Sequence, residues 1–132
     1  DVAGALAPAI SDSGVDILMG IGAAPEGVIA AAGLKALGGE IQGRLKPRND
    51  EEIERAKQMG VKDVEKKLMM DDLVKGDLAM LAATGVTDGT ILKGVRFTNQ
   101  GAITHSWVMR AKTKTVRFIE AHHNFRHKPL KF

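Results

Sequence analysis

The chain has 132 residues, 44% of them hydrophobic but only 4% aromatic, with a net charge of +3. That is one domain's worth of chain, whose core must be built from Leu, Ile, Val, Met and Ala, and the balance fits an α/β protein better than an aromatic-rich β-sandwich. The absence of cysteine excludes a disulfide framework and thiolate chemistry, and no apolar run reaches the ~18 residues of a membrane span.

Val2 to Ile10 reads as a helix starting directly after Asp1, with Pro8 placed to kink or shorten it. Asp1 is then either an N-cap or a group aimed at a ligand at the helix start. Ser11 to Val15 is a turn. Ile17-Leu18-Met19 reads as a short buried strand, and Gly20 and Gly22 break it because glycine takes backbone angles that a side chain forbids. Pro25 suits the first turn of a helix, Val28 to Leu37 continues it, and Gly38-Gly39 stops it. Strand, glycine loop and helix follow one another, an arrangement that leaves backbone N–H groups free at a positive helix end where phosphate binds. Glu26 lies in the first turn of this helix. It admits two readings, a carboxylate favoured by the helix dipole or a ligand for a hard cation such as Mg²⁺ beside a phosphate. Neither a P-loop nor a Gly-x-Gly-x-x-Gly fingerprint is present.

Glu40 to Leu45 reads as a second strand closed by Pro47, giving a strand–helix–strand unit with parallel pairing and a right-handed crossover. Asn49 and Glu52 have capping-box spacing before a helix from about Asp50 to Met59, ended by Gly60. Asp63 can cap a further short helix carrying Val64 and Leu68. Asp71 and Asp72 are neighbours that point in different directions, so they read as a cap for the turn Leu73–Lys75 and not as a metal pair. Asp77 to Ala83 is a strand candidate. The following Thr84–Gly89 is either a second ligand-facing loop or an ordinary turn.

Ile91–Phe97 and Ala102–Arg110 read as strands flanking a hairpin turn at Thr98–Gly101, and Thr115–Ala121 reads as the last strand. Trp107 is assigned to packing. His122 and His123 would face opposite ways on a strand, and no H-E-x-x-H arrangement includes His127, so the three histidines are not assigned to a metal. Basic residues gather from Arg110 onward (Lys112, Lys114, Arg117, Arg126, Lys128, Lys131) against Glu120 alone. Without an aromatic platform this segment reads as solvated, or as a face answering anionic sugar phosphates, and nucleic-acid binding is set aside.

The stretch MGIGAAPEGVIAAAGLKALGGEIQGRL resembles the class II (GlpX-type) fructose-1,6-bisphosphatases, which usually carry MGIGGAPEG at this place. The likeness continues through MDDLVKGDLAMLAATGVTDG, ILKGVRF and THSWVMRAKTKTVRFIEAHH. It covers most of the chain but only the C-terminal part of the family. The resemblance implies a layered α/β sheet flanked by helices, like the C-terminal half of the fructose-bisphosphatase/inositol-monophosphatase fold. It implies hydrolysis of the 1-phosphate of fructose 1,6-bisphosphate, and in some members of sedoheptulose 1,7-bisphosphate, in the cytoplasm. In that reaction water attacks phosphorus while Mg²⁺ or Mn²⁺ neutralises the phosphate oxygens.

Carried over residue by residue, Glu26 matches the family's metal-binding glutamate. Asp1 matches a substrate-binding aspartate, the last of an Asp-Gly-Asp motif. Ala23 falls where a substrate-contacting glycine is common, and the exchange puts close approach in question. The family's other acidic ligands, and the Thr that orients the attacking water, belong to its N-terminal half. The expected partners are therefore a sugar bisphosphate, that missing half and further copies in a homo-oligomer, with no membrane and no nucleic acid, and the chain alone is expected to be inactive. Two other classes remain open, a non-catalytic phosphate- or nucleotide-binding module and a structural or oligomerisation fragment.

Overall fold

The computed structural model describes residues 2–128, so Asp1, read as a cap or a ligand contact, lies outside the described residues. A short helix α1 (Val2–Leu6) passes into a 3-10 turn (Ala7–Ala9) where Pro8 removes a helical donor, so the helix expected over Val2–Ile10 is cut short at Leu6. Helix α2 (Ala24–Leu37) follows, with Pro25 in its first turn and Gly38 as its C-cap at φ +85°, a left-handed conformation that glycine adopts at little cost.

Next come the two-residue strand β1 (Gln42–Gly43), helix α3 (Asp50–Gln58), strand β2 (Leu68–Met69) and the single-turn helix α4 (Met70–Leu73). Asn49 caps α3 by accepting from the Glu52 N–H at 3.0 Å. The returning half of the capping box is displaced by one residue, because Glu52 accepts from the Arg48 N–H at 2.8 Å. The helix expected after Asp63 is a turn instead, with Asp63 accepting from the Glu65 N–H. The expected parallel crossover is also absent: β1 pairs with β2, and antiparallel. The Glu40–Leu45 segment finds a partner only over two residues, so α2 does not connect neighbouring parallel strands.

The main sheet is antiparallel. Strands β3 (Met80–Thr84) and β4 (Arg96–Thr98) pair with opposite ends of one edge of β5 (Gly101–Arg110), and β6 (Thr115–Asn124) lines the whole of its other edge. A 3-10 turn (Ala111–Thr113) joins β5 to β6, so the last strand outruns its expected end at Ala121 because its pairing continues to Gly101↔Asn124. Alternation sends Leu81, Trp107, Met109 and Val116 to one face, where they meet Leu6, Ala31, Leu34 and Ala36 of the two helices. Helices therefore cover one side of the sheet, the layered α/β arrangement expected from the sequence. Trp107 is buried there, its ring edge-on to Phe118 with centroids 5.3 Å apart. The other face carries hydroxyls, with Thr84 and Ser106 2.8 Å apart and Thr104 2.9 Å from the His123 ring.

Candidate functional site

The two sequence-predicted site residues within the described part lie at the start of α2. Ala23 is the N-cap, at φ −74° and ψ 154°. Those angles suit any residue, so alanine replaces glycine here without backbone strain. Alanine brings no side-chain acceptor, and the helix has no side-chain cap. The first helical bond runs from the Gly27 N–H to the Ala23 carbonyl at 3.3 Å, and Pro25 has no N–H. Among the described residues nothing accepts from the N–H groups of Ala24 and Glu26. Two donors and the positive end of a 14-residue helix thus face outward. Glu26 is exposed in that same first turn, not buried against apolar neighbours.

The lead-in to this helix differs from expectation. Residues 17–19 form no strand, and Ile17, Leu18, Met19 and Ile21 are all exposed. Gly20 and Gly22 do not take positive φ, so their value is not the conformational freedom anticipated for them. A Cβ at either would meet nothing within 4 Å, so both stand in open space beside the helix start.

No group of three or more His, Cys, Asp or Glu side chains among the described residues could hold a metal ion. Glu26 is a single exposed carboxylate, and a hard cation needs several oxygen ligands. The other candidate features are structural. Asp72 accepts from the Met69 N–H at 2.9 Å and from Lys66, which holds its carboxyl below the ordinary 3.8. Asp71 pairs with Lys35. Thr84–Gly89 is tied to the segment that follows it, with Asp88 accepting from the Gly94 N–H at 2.8 Å and Val86 accepting from the Val95 N–H, which favours the ordinary-turn reading.

His122 and His123 face opposite sides, His122 bonding Glu120 at 2.8 Å and His123 bonding Thr104. Glu120 is held below its ordinary 4.5 by that hydrogen bond, with further help from the positive fields of His105, His122 and Lys93. The cross-strand approach of His105 to Glu120 was hidden in the sequence, since only the β5–β6 register reveals it. A hollow of about 370 Å³ lies at the opposite end of α2, beside Gly38, Met70 and Lys114. Its Lys35 bonds Asp71 and the Val74 carbonyl, while Lys114 donates to the Lys35 carbonyl, so both ammonium groups are engaged in holding the fold.

An antiparallel sheet covered on one side by helices defines a layered α/β class. Residues 1–123 match the family of bacterial fructose-1,6-bisphosphatases, glpX-encoded, and the chain belongs to that family. It is 42% identical to a D-fructose 1,6-bisphosphatase class 2/sedoheptulose 1,7-bisphosphatase of Acaryochloris marina, over 95% of this chain and 39% of that protein. Proteins of the same description from Trichodesmium erythraeum and Thermosynechococcus vestitus are 39% and 41% identical, each over 95% of this chain and 40% of their own length. The chain thus spans about two fifths of the length of these relatives.

Proposed function

We propose that this chain is the C-terminal part of a metal-dependent phosphatase that removes the 1-phosphate of fructose 1,6-bisphosphate and also accepts sedoheptulose 1,7-bisphosphate. The relatives' descriptions support both substrates. The observation that carries the reading is the start of α2, which presents Glu26 and two unpaired N–H donors to solvent at one positive helix end.

In this reading the N–H groups of Ala24 and Glu26 donate hydrogen bonds to a phosphoryl oxygen. Ala23 and Asp1 border the sugar, and Glu26 supplies one carboxylate to Mg²⁺ or Mn²⁺. A divalent ion there neutralises phosphoryl charge and acidifies an attacking water. The remaining acidic ligands belong to polypeptide that the relatives carry outside the matched stretch.

The test is phosphate release from fructose 1,6-bisphosphate. The chain alone is expected to release none with either metal. Co-expressed with the non-matching portion of the Trichodesmium erythraeum relative, it is expected to show metal-dependent release that Glu26→Gln abolishes. Metal-dependent turnover by the chain alone, or a Glu26→Gln complex as active as the parent, overturns the proposal.

A further inference from the structure

The face of the main sheet turned away from the helices is sorted by charge. By the strand registers it takes the even positions of β3 and β5 and the odd positions of β4 and β6. None of these positions carries a carboxylate, whereas Arg110 and Arg117 both belong to the set. Glu120, the one acidic residue from Arg110 onward, points to the opposite face, where it bonds His122. Both arginines are exposed, and among the described residues neither is in an ion pair.

The linear sequence shows basic residues without an aromatic platform, and the fold builds one. Phe125 donates its N–H to the Gln100 carbonyl at 3.0 Å, which carries the β5–β6 pairing one step past Gly101↔Asn124. Its ring thereby meets Phe97 of β4 edge-on, with centroids 6.5 Å apart, and Phe97 remains 71% exposed. His123 stands in the same row, across Ala102 from Phe97. Hydroxyls follow along the strands: Thr104, bonded to the His123 ring, and the Thr84–Ser106 pair. Arg117 lies beyond them in the row of Val108, about 20 Å along β5 from the Ala102 row at ~3.3 Å per residue.

We propose that this face binds single-stranded nucleic acid, with a base stacked on Phe97 and the phosphates further along the strand answered by Arg117 and Arg110. An exposed antiparallel sheet that presents aromatic rings is a surface on which unpaired bases stack. A lane free of carboxylates and holding two unpaired guanidinium groups complements a polyanion, whose phosphates Arg contacts bidentately. The hydroxyls between ring and arginines donate to phosphate and sugar oxygens. An acidic peptide answers the arginines and leaves the ring without a partner, and a duplex keeps its bases stacked on one another. The face lies across the sheet from α2, so the inference stands apart from the proposed reaction.

The experiment is fluorescence anisotropy of the 132-residue chain with end-labelled single strands of about 12 uridines or thymidines, at about 50 mM salt. Binding is expected at micromolar concentrations, with a duplex of the same length held roughly tenfold more weakly. Phe97→Leu keeps an apolar side chain against Phe125 and removes the ring, so affinity falls by about fivefold or more while the melting curve holds, and Phe97→Tyr retains binding. Arg110→Gln and Arg117→Gln each reduce the slope of log affinity against log salt by about 0.7. Lys57→Gln, on α3, removes a charge elsewhere and leaves that slope unchanged. Tighter binding of the uridine strand assigns the hydroxyls to the ribose 2′-OH and equal binding assigns them to phosphate; either supports the proposal. No binding of either strand, equal affinity for the duplex, or a Lys57→Gln loss as large as that of the arginine variants overturns it. So does displacement of the bound strand by poly-glutamate or phosphatidylserine vesicles at equal charge, which makes the face a docking surface for acidic protein or membrane.

Discussion

Replacing Lys35 by methionine separates a buried anchor from a decorative ion pair. Lys35 lies in the last turn of α2, its side chain only 13% exposed, and its ammonium donates to Asp71 and, at 2.7 Å, to the Val74 carbonyl after α4. Methionine keeps the apolar stem and removes the charge, so packing changes little. The Val74 carbonyl then loses its donor, which costs about 1–3 kcal/mol for a part-buried group. Asp71 is 81% exposed and returns to water, so its share is at most ~0.5 kcal/mol.

Lys35→Met is therefore expected to cost about 2 kcal/mol, a fall in Tm of roughly 8 °C at ~4 °C per kcal/mol for a chain of this size. Asp71→Asn is expected to lower Tm by no more than ~2 °C on the same scale. Thermal melts followed by circular dichroism, repeated with urea to check for an unchanged slope, read both. Equal losses from the two variants, or a Lys35→Met protein that melts with the parent, would refute the division between carbonyl and carboxylate.

Ala23→Asp supplies the missing cap of α2 and should stabilise the chain by about 1 kcal/mol, while weakening phosphate binding at the helix start in the assembled enzyme. Calorimetric titration with inorganic phosphate checks the second half. Gly101→Ala drives a Cβ into the His123 carbonyl oxygen and should cost more than ~2 kcal/mol by forcing β5 and β6 apart, whereas Gly20→Ala meets nothing within 4 Å and should melt within ~0.5 kcal/mol of the parent. Acid stability follows from Glu52, whose carboxyl the Arg48 guanidinium and N–H hold below the ordinary 4.5. A depressed carboxylate stabilises above its unfolded value, and the contribution fades as pH falls through the folded one. Tm measured from pH 6 to pH 3 should therefore drop less in Glu52→Gln than in the parent, most visibly below about pH 4.5.

The elements legible in the sequence are those whose signals are local. Asn49 announced α3 through a cap that needs only the next three residues, and the alternation of Ile103, Trp107 and Met109 announced β5 through its own period. Pro25 and Gly38 bracketed α2 in the same way. What could not be read depended on remote partners. Glu40–Leu45 has the composition of a full strand, but its length was decided by how much edge Leu68–Met69 offered. Ile17–Met19 has the composition of a strand, yet pairs with nothing among the described residues. At the site, Glu26 and Ala23 fell where the motif put them, at the first turn and the cap of α2. Lys35 escaped notice, because an amphipathic lysine near a helix end gives no sign of which carbonyl it will reach.

The long β5–β6 ribbon carries a consequence for how the molecule is made. Its strands are neighbours in sequence, so closing the turn at Ala111–Thr113 costs little chain entropy and the pair can zip without waiting for distant segments. Synthesis runs the other way. Helix α2 leaves the ribosome first and must wait on the order of ten seconds, at ~5–20 residues per second, for Trp107 and Met109 to arrive and cover Ala31 and Leu34. During that interval the apolar surface of Ala31 and Leu34 lacks its cover from β5.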